Sequence, residues 1–266
     1  MKRIAIICAG IVFPFLMMGQ SKKFEYTPKV KNKIEITNLL GEISLQNSAG
    51  NAIVIESDFN MERPDRAAGL KLLGAMEDNT ELGVNVSEDN GVVSIQGATK
   101  QVREFKYKIS IPTGMAVSLD YGSPFAKGDI SVDSYNGSLE IKTLSANVKI
   151  TNSSGPFTVN SISGNVEVLF DKINQSEPTS LASVSGFIDV TLPASDKASI
   201  EISTINGNVY NNLDLKSTSS DKEEDKRASG MNVVRQRGGG NTFTLNGGGQ
   251  KIYLKGISGN IYLRKH

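Results

Sequence analysis

Between Ile130 and Val168 apolar residues recur at every second position in short runs: Ile130 and Val132, Leu139 and Ile141, Val148 and Ile150, Phe157 and Val159, Val166 and Val168. Alternation at period two is the signature of a strand with one buried face. The runs start nine residues apart. Two residues before them stand Gly128, Gly137, Gly155 and Gly164, with Ala146 holding the register in the one gap. A glycine there marks a corner where the backbone needs positive φ or the absence of a Cβ. One such unit cannot bury its apolar face alone, so copies must stack. The pattern predicts an all-β fold, a single-stranded β-helix (β-solenoid) of nine-residue glycine-strand units.

Alternating runs extend on both sides of this block. Ile34 to Ile36, Gly41 to Leu45, Ala52 to Ile55, Val84 to Val86, Val92 to Ile95 and Tyr107 to Ile111 precede it. Gly186 to Val190, Ile200 to Ile202, Gly207 to Val209, Gly249 to Leu254 and Gly259 to Leu263 follow it. A rung of 18 residues with two strands and a rung of 27 with three both fit the block. The residue two before each glycine favours 18, because Leu144 and Ile162 match at that distance and Val184, Ile205 and Ile257 continue the column. On that register Ser131, Lys149 and Glu167 form one outward column, and Glu140 and Thr158 another. Lys149 and Glu167 then lie about 4.8 Å apart, a solvated surface pair worth at most about 1 kcal/mol.

Two segments break the pattern. From Pro64 to Asn79 a proline at a helix start and Leu70, Leu73 and Met76 at helical spacing predict one short helix near the N-terminal end. It would lie over the solenoid and cover open strand edges there. The stretch 215–240, rich in Ser, Lys, Asp, Glu and Gly, reads as a flexible insertion. The expected organisation is a signal peptide over 1–19, a lead-in over 20–33 and the solenoid over 34–266.

The signal peptide rests on Lys2 and Arg3, the apolar run Ile4 to Gly19, and a small residue at its end. Those 16 residues, interrupted by Pro14, are short of the roughly 20 that span a bilayer. Cleavage would leave 27 basic residues, from 29 less Lys2 and Arg3, against 28 acidic ones. A charge of −1 gives no pull toward nucleic acid. The mature chain would have no transmembrane segment and would reside in the periplasm or at the cell surface. Cys8, the only cysteine, sits too early in the apolar run for lipidation, so the mature product would carry no disulfide and rely on packing.

Catalytic chemistry is sparse. The only histidine is His266, the last residue, which excludes a Ser-His-Asp or Cys-His arrangement and makes a zinc site untenable. The glycine triplets Gly238 to Gly240 and Gly247 to Gly249 lack the Lys-Ser/Thr and the helix that a phosphate loop needs. A polysaccharide-active lyase or hydrolase on this scaffold would have to use carboxylates, and Asp120, Asp129 and Asp133 are the nearest to a cluster. The turn positions Asp129, Ser138, Asn147, Pro156 and Asn165 form an Asn-rich column, not a repeated metal ligand. No catalytic residue, metal or cofactor is assigned. Tyr253 and Tyr262 alternate with core residues on two C-terminal strands and are expected to share an outward face. They are the candidate ligand-binding pair, with cross-strand pairing as the plain structural alternative.

The C-terminal Leu245-Asn-Gly-Gly-Gly249, Ile252-Tyr-Leu254 and Gly259-Asn-Ile-Tyr-Leu263 resemble the ending of the bacterial putative-adhesin domain family. The repeats at Ser161 to Val168 and Ser183 to Val190, and Gly69 to Leu73 leading into Asp78 to Thr80, resemble its core. The resemblance covers roughly Ile34 to Leu263. It implies an exported β-helix of the bacterial envelope and carries no binding or catalytic residue across. The expected function is therefore a non-enzymatic adhesin or surface interaction protein, with a glycan or a cell-surface protein as partner. The lyase or hydrolase is one alternative. The other is a structural envelope protein that self-associates through an uncapped edge near Ile261 to Leu263.

Overall fold

Residues 22–59, 66, 70, 76–98, 105–218 and 241–266 are described by the computed structural model. Their regular structure is strand, arranged in two mixed sheets. The first runs β1 (Lys22–Tyr26), β4 (Ile53–Ser57), β7 (Lys106–Pro112), β3 (Glu42–Ser48), β9 (Ile130–Asp133), β11 (Val148–Ser153), β13 (Val166–Phe170), β15 (Ile188–Leu192), β21 (Ile261–Lys265), β17 (Val209–Asn211). The second runs β18 (Lys216–Ser217), β19 (Asn241–Leu245), β16 (Ala198–Thr204), β20 (Lys251–Gly256), β14 (Thr179–Ser183), β12 (Phe157–Ser161), β10 (Leu139–Thr143), β8 (Ala116–Tyr121), β2 (Lys33–Thr37), β6 (Val92–Gly97), β5 (Val84–Asp89).

Through the block, successive strands alternate between the sheets and pair in parallel. Ile130 pairs with Val148, Leu139 with Phe157 and Val148 with Val166, each 18 residues on. A rung here therefore holds two strands. A nine-residue unit does not describe the chain as a whole. Val166 pairs with Ile188, 22 residues on, because the loop 171–178 lengthens the rung. At both ends strands meet antiparallel, as in β1–β4, β4–β7, β5–β6, β16–β19 and β18–β19. The chain also returns on itself: β20 enters between β14 and β16, and β21 between β15 and β17.

Three expectations change. The helix expected over Pro64 to Asn79 falls mostly outside the described residues; Leu70 and Met76 are exposed and Glu77 to Thr80 is irregular, so no helix is supported. The strand Ile261–Lys265 is not an edge, because β17 pairs along it. The sheet also starts ahead of Ile34, at β1. The candidate signal peptide and most of the 215–240 insertion lie outside the described residues.

Inward side chains of the two sheets form one core, with Tyr121, Tyr135, Phe157 and Phe170 the largest among those sealed from water. Each fully buried aliphatic side chain contributes about 1.5–3 kcal/mol. Phe157 and Phe170 meet across the layer with ring centroids 5.4 Å apart. The two tyrosines keep their hydroxyls satisfied: Tyr121 donates to the Gly41 carbonyl at 2.7 Å and Tyr135 to that of Met115.

Candidate functional site

One corner of the rungs is built from a repeated Ser/Thr-x-x-Gly turn. The hydroxyls of Thr143, Ser183 and Thr204 accept the amides of Ala146, Gly186 and Gly207 at 3.0–3.1 Å. The Ser161 hydroxyl donates to the Gly164 carbonyl at 2.9 Å. These hydroxyls are buried and close the turn locally, as short polar side chains do. The glycines then stack. A Cβ on Gly164, Gly186, Gly259 or Gly207 would lie 1.8–2.2 Å from the carbonyl oxygen of the residue stacked beneath it. Close approach, not positive φ, is what demands glycine at these four positions. At Gly128 positive φ joins a 2.6 Å approach of the added Cβ to the Glu42 amide nitrogen, and at Gly155 positive φ is the reason alone.

Turning the chain this way throws the next side chain outward. Leu144, Ile162, Val184 and Ile205 follow the four turn-closing residues, Ile257 follows Gly256 at the equivalent place, and the five form a ladder along the corner. Its backbone is tied by hydrogen bonds from Ser163, Ser185, Ser258 and Asn206 amides to the carbonyls of Leu144, Ile162, Val184 and Ile257. Ile162, Val184 and Ile205 are 50%, 38% and 68% exposed. The sequence signal for this ladder was visible as the apolar column two residues before each glycine, although that column spoke only to rung length.

Beside the ladder runs an outward column in register across the second sheet: Asp120, Lys142, Asn160, Ala182 and Lys255. Ladder and column enclose a groove of about 530 Å³, within the range of roughly 300–1,000 Å³ for small-molecule sites. Lys142 pairs with Glu140 at 2.8 Å. That hydrogen bond holds the Glu140 carboxyl below, and the Lys142 ammonium above, their ordinary ranges. Lys255 makes no ion pair among the described residues.

The structure separates the two candidate tyrosines. Tyr253 lies on β20, between Ser180 and Glu201 in the second sheet, with the Lys251 ammonium 5.6 Å from its ring centre. Tyr262 lies on β21 in the first sheet, so the two point out of opposite faces. The expectation of a shared face fails because consecutive strands alternate between sheets.

Tyr262 instead anchors an aromatic strip. Tyr210 stacks on it at 5.3 Å and 12°, Phe187 meets it edge-on at 6.0 Å, and the Arg264 guanidinium lies 5.5 Å from its centre. Arg264 is fixed by both oxygens of Asp189 at 2.8 and 2.9 Å, which raises its already high pKa. Such aromatic pairs add about 0.5–1.5 kcal/mol each. Among the described residues Tyr210 stands on the edge strand β17, so the strip ends there in a ring with no further described strand beside it in that sheet. Sequence reasoning missed Tyr210, whose Gly-Asn-Val-Tyr context matches the Gly-Asn-Ile-Tyr of Tyr262.

The three acids are not brought together. Asp120 is on β8 of the second sheet, Asp133 on β9 of the first, and Asp129 at the corner before it. Asp129 accepts the Asn147 amide and begins a ladder in which Asn147 accepts the Asn165 amide and Asn165 that of Phe187, at 3.0–3.1 Å. Asp133 accepts hydrogen bonds from Thr151, Ser134 and Asn152, which hold its carboxyl below the usual range. A general acid needs the opposite shift. Ser138 and Pro156 fall at the other corner, outside the Asn ladder. Among the described residues no group of three or more metal-ligating side chains is placed to hold an ion.

The fold and its two outward surfaces define a two-sheet, solenoid-like β protein with a ligand-sized groove on one face and an aromatic strip on the other. The chain belongs to the Toastrack DUF4097 family, whose sequence model matches residues 21–237. No curated protein matches it. Among solved structures it is similar to a putative cell adhesion protein from Clostridium sporogenes, at 10% identity over 93% of this chain and 100% of that one, TM-score 0.45. It is also similar to a putative adhesin from Bacteroides fragilis, at 12% identity over 93% and 97%, TM-score 0.32. A putative lipid binding protein from Parabacteroides distasonis is similar at 13% identity over 92% and 97%, TM-score 0.32. Likeness at this distance carries no functional argument.

Proposed function

We propose that this chain is an exported, non-enzymatic surface interaction protein of adhesin type, with a glycan or a cell-surface protein as partner. The observation that carries it is the aromatic strip at the edge of the first sheet. Tyr262 is spent on its neighbours, and it holds Tyr210 as a stacked ring whose other side meets no ring or strand among the described residues. A sugar ring or an aromatic side chain stacks on such a surface with little ordering cost, because the platform is already fixed. Beyond Tyr262 the same outward column continues through Asp189, Glu167 and Lys149, which supply charged hydrogen-bonding groups beside the platform. Export follows from the N-terminal charge and apolar run, with a mature chain beginning at Gln20 in the periplasm or at the cell surface.

The test is adhesion of bacteria displaying the protein to glycan- and protein-coated surfaces, beside the same cells displaying Tyr210→Ala. Adhesion that falls at least tenfold with Tyr210→Ala supports the reading. Equal adhesion by both, or none by either, sinks it. Mass spectrometry of the recovered protein reads the export half separately, and an N-terminus still at Met1 would contradict it.

A further inference from the structure

We propose that the groove beside the aliphatic ladder binds one extended long-chain fatty acid, its tail along Leu144, Ile162, Val184 and Ile257 and its carboxylate at Lys255. Four features select this occupant. The first is hydrogen bonding. The ladder's backbone carbonyls are already taken by the amides of the next rung, so a peptide laid along it would bury amides without partners, at a cost of about 1–3 kcal/mol each. A hydrocarbon tail has no such groups. Length is the second. From the rung of Leu144 to that of Ile257 the ladder advances three strand spacings, about 14 Å. A bilayer core of about 30 Å holds two tails end to end, so one tail is close to 15 Å.

Charge is the third feature, and it sets direction. Asp120 stands at the Leu144 end of the column and Lys255 at the Ile257 end. Lys142 between them is engaged by Glu140, which leaves the Lys255 ammonium free of ion pairs among the described residues. A carboxylate is therefore attracted at one end and repelled at the other. The fourth is area. A stable dimer needs about 800 Å² from each partner, and a single row of half-exposed aliphatic side chains supplies far less. The groove is also lined without an aromatic ring, which separates it from the strip on the opposite sheet. Fatty-acid capture and glycan adhesion belong to different surfaces, so either can fail alone.

The experiment is fluorescence titration of the delipidated protein with cis-parinaric acid, followed by displacement with palmitate or octanoate below their micelle concentrations. The chain has no tryptophan, so the probe's own emission is read. Palmitate displaces the probe, and octanoate is at least tenfold weaker because it covers half the ladder. Lys255→Glu and Ile162→Asp each weaken palmitate at least tenfold with unchanged circular dichroism, whereas Asp120→Asn leaves it equal or tighter. Absence of probe binding overturns the proposal. So does palmitate affinity unchanged in both Lys255→Glu and Ile162→Asp, or a dimer by light scattering that Ile162→Asp dissociates. Displacement by an extended apolar peptide, and not by palmitate, overturns it as well.

Discussion

Gly186→Ala tests the corner geometry most sharply. The added Cβ would sit 2.2 Å from the Gly164 carbonyl oxygen and 2.6 Å from its carbon. Real Cβ atoms keep at least 3.0 Å, so the rungs must part locally by no less than the 0.8 Å difference. The hydrogen bond from the Val166 amide to the Phe187 carbonyl and that from the Ser185 amide to the Ile162 carbonyl are both 2.9 Å long. Opening by 0.8 Å takes them past 3.5 Å, where little bonding remains. Two lost bonds at about 1 kcal/mol each, with about 1–3 kcal/mol for overpacking, give about 3–5 kcal/mol. At about 2–4 °C per kcal/mol for a chain of this size, the melting temperature falls by about 10 °C. The assay is urea and thermal unfolding followed by circular dichroism. Gly50→Ala is the control, since its Cβ would meet nothing closer than 3.9 Å, and it should stay within about 0.5 kcal/mol of the parent. Equal unfolding of the two variants would refute the stacked-corner account.

Other consequences follow from single groups. Ser183→Ala leaves the buried Gly186 amide without its acceptor, while the Gly164 carbonyl keeps the Ser161 hydroxyl, and costs about 1–3 kcal/mol; a urea midpoint within error of the parent would contradict this. Asn165→Ala removes the acceptor of the Phe187 amide at 3.1 Å and costs about 1 kcal/mol, while Asn165→Asp, which keeps an acceptor, stays near the parent in the same assay. Burial pushes Tyr121 up to about 12, Asp129 and Glu42 adding to it, and raises Tyr107 and Tyr135 further. The unfolded phenol ionises near 10, so the native state holds these protons longer. Stability is therefore full below pH 10 and is lost as pH climbs from 10 toward 12, by about 1 kcal/mol per pH unit for each tyrosine. Phenolate absorbance from all seven tyrosines at pH 11 with native circular dichroism would show the sign to be wrong.

Much of the fold was legible because local rules and the tertiary structure agree between Ile130 and Val168. There the inward residue, the corner and the partner strand repeat together, so Glu140 faces Thr158 and Lys149 lies between Ser131 and Glu167, as the spacing predicts. The pairing of Lys149 with Glu167 was right as register, yet no ion pair joins them among the described residues. The ends were not legible. Nothing in the alternation of Ile252 and Leu254 says that their strand slips between β14 and β16, because that placement is decided by which sheet edges remain open after 46 intervening residues have passed. The same blindness misplaced the tyrosines. Period two reports whether a side chain points in or out, but not out of which sheet. Tyr253 and Tyr262, nine residues apart on successive strands, therefore land on opposite faces. The ladder of Leu144, Ile162 and Val184 was seen as a pattern. Its exposure follows from the turn hydroxyls beneath it, and the meaning of that repeated hydroxyl emerges only once its hydrogen bond is drawn.

The claim that this molecule binds and does not catalyse is tested most directly on one glycan array read twice, once for retained protein and once for released sugar. The account predicts retention that Tyr210→Ala abolishes, with no oligosaccharide in the wash. Oligosaccharide release that is lost when Asp120, Asp129 or Asp133 is replaced by its amide would contradict it.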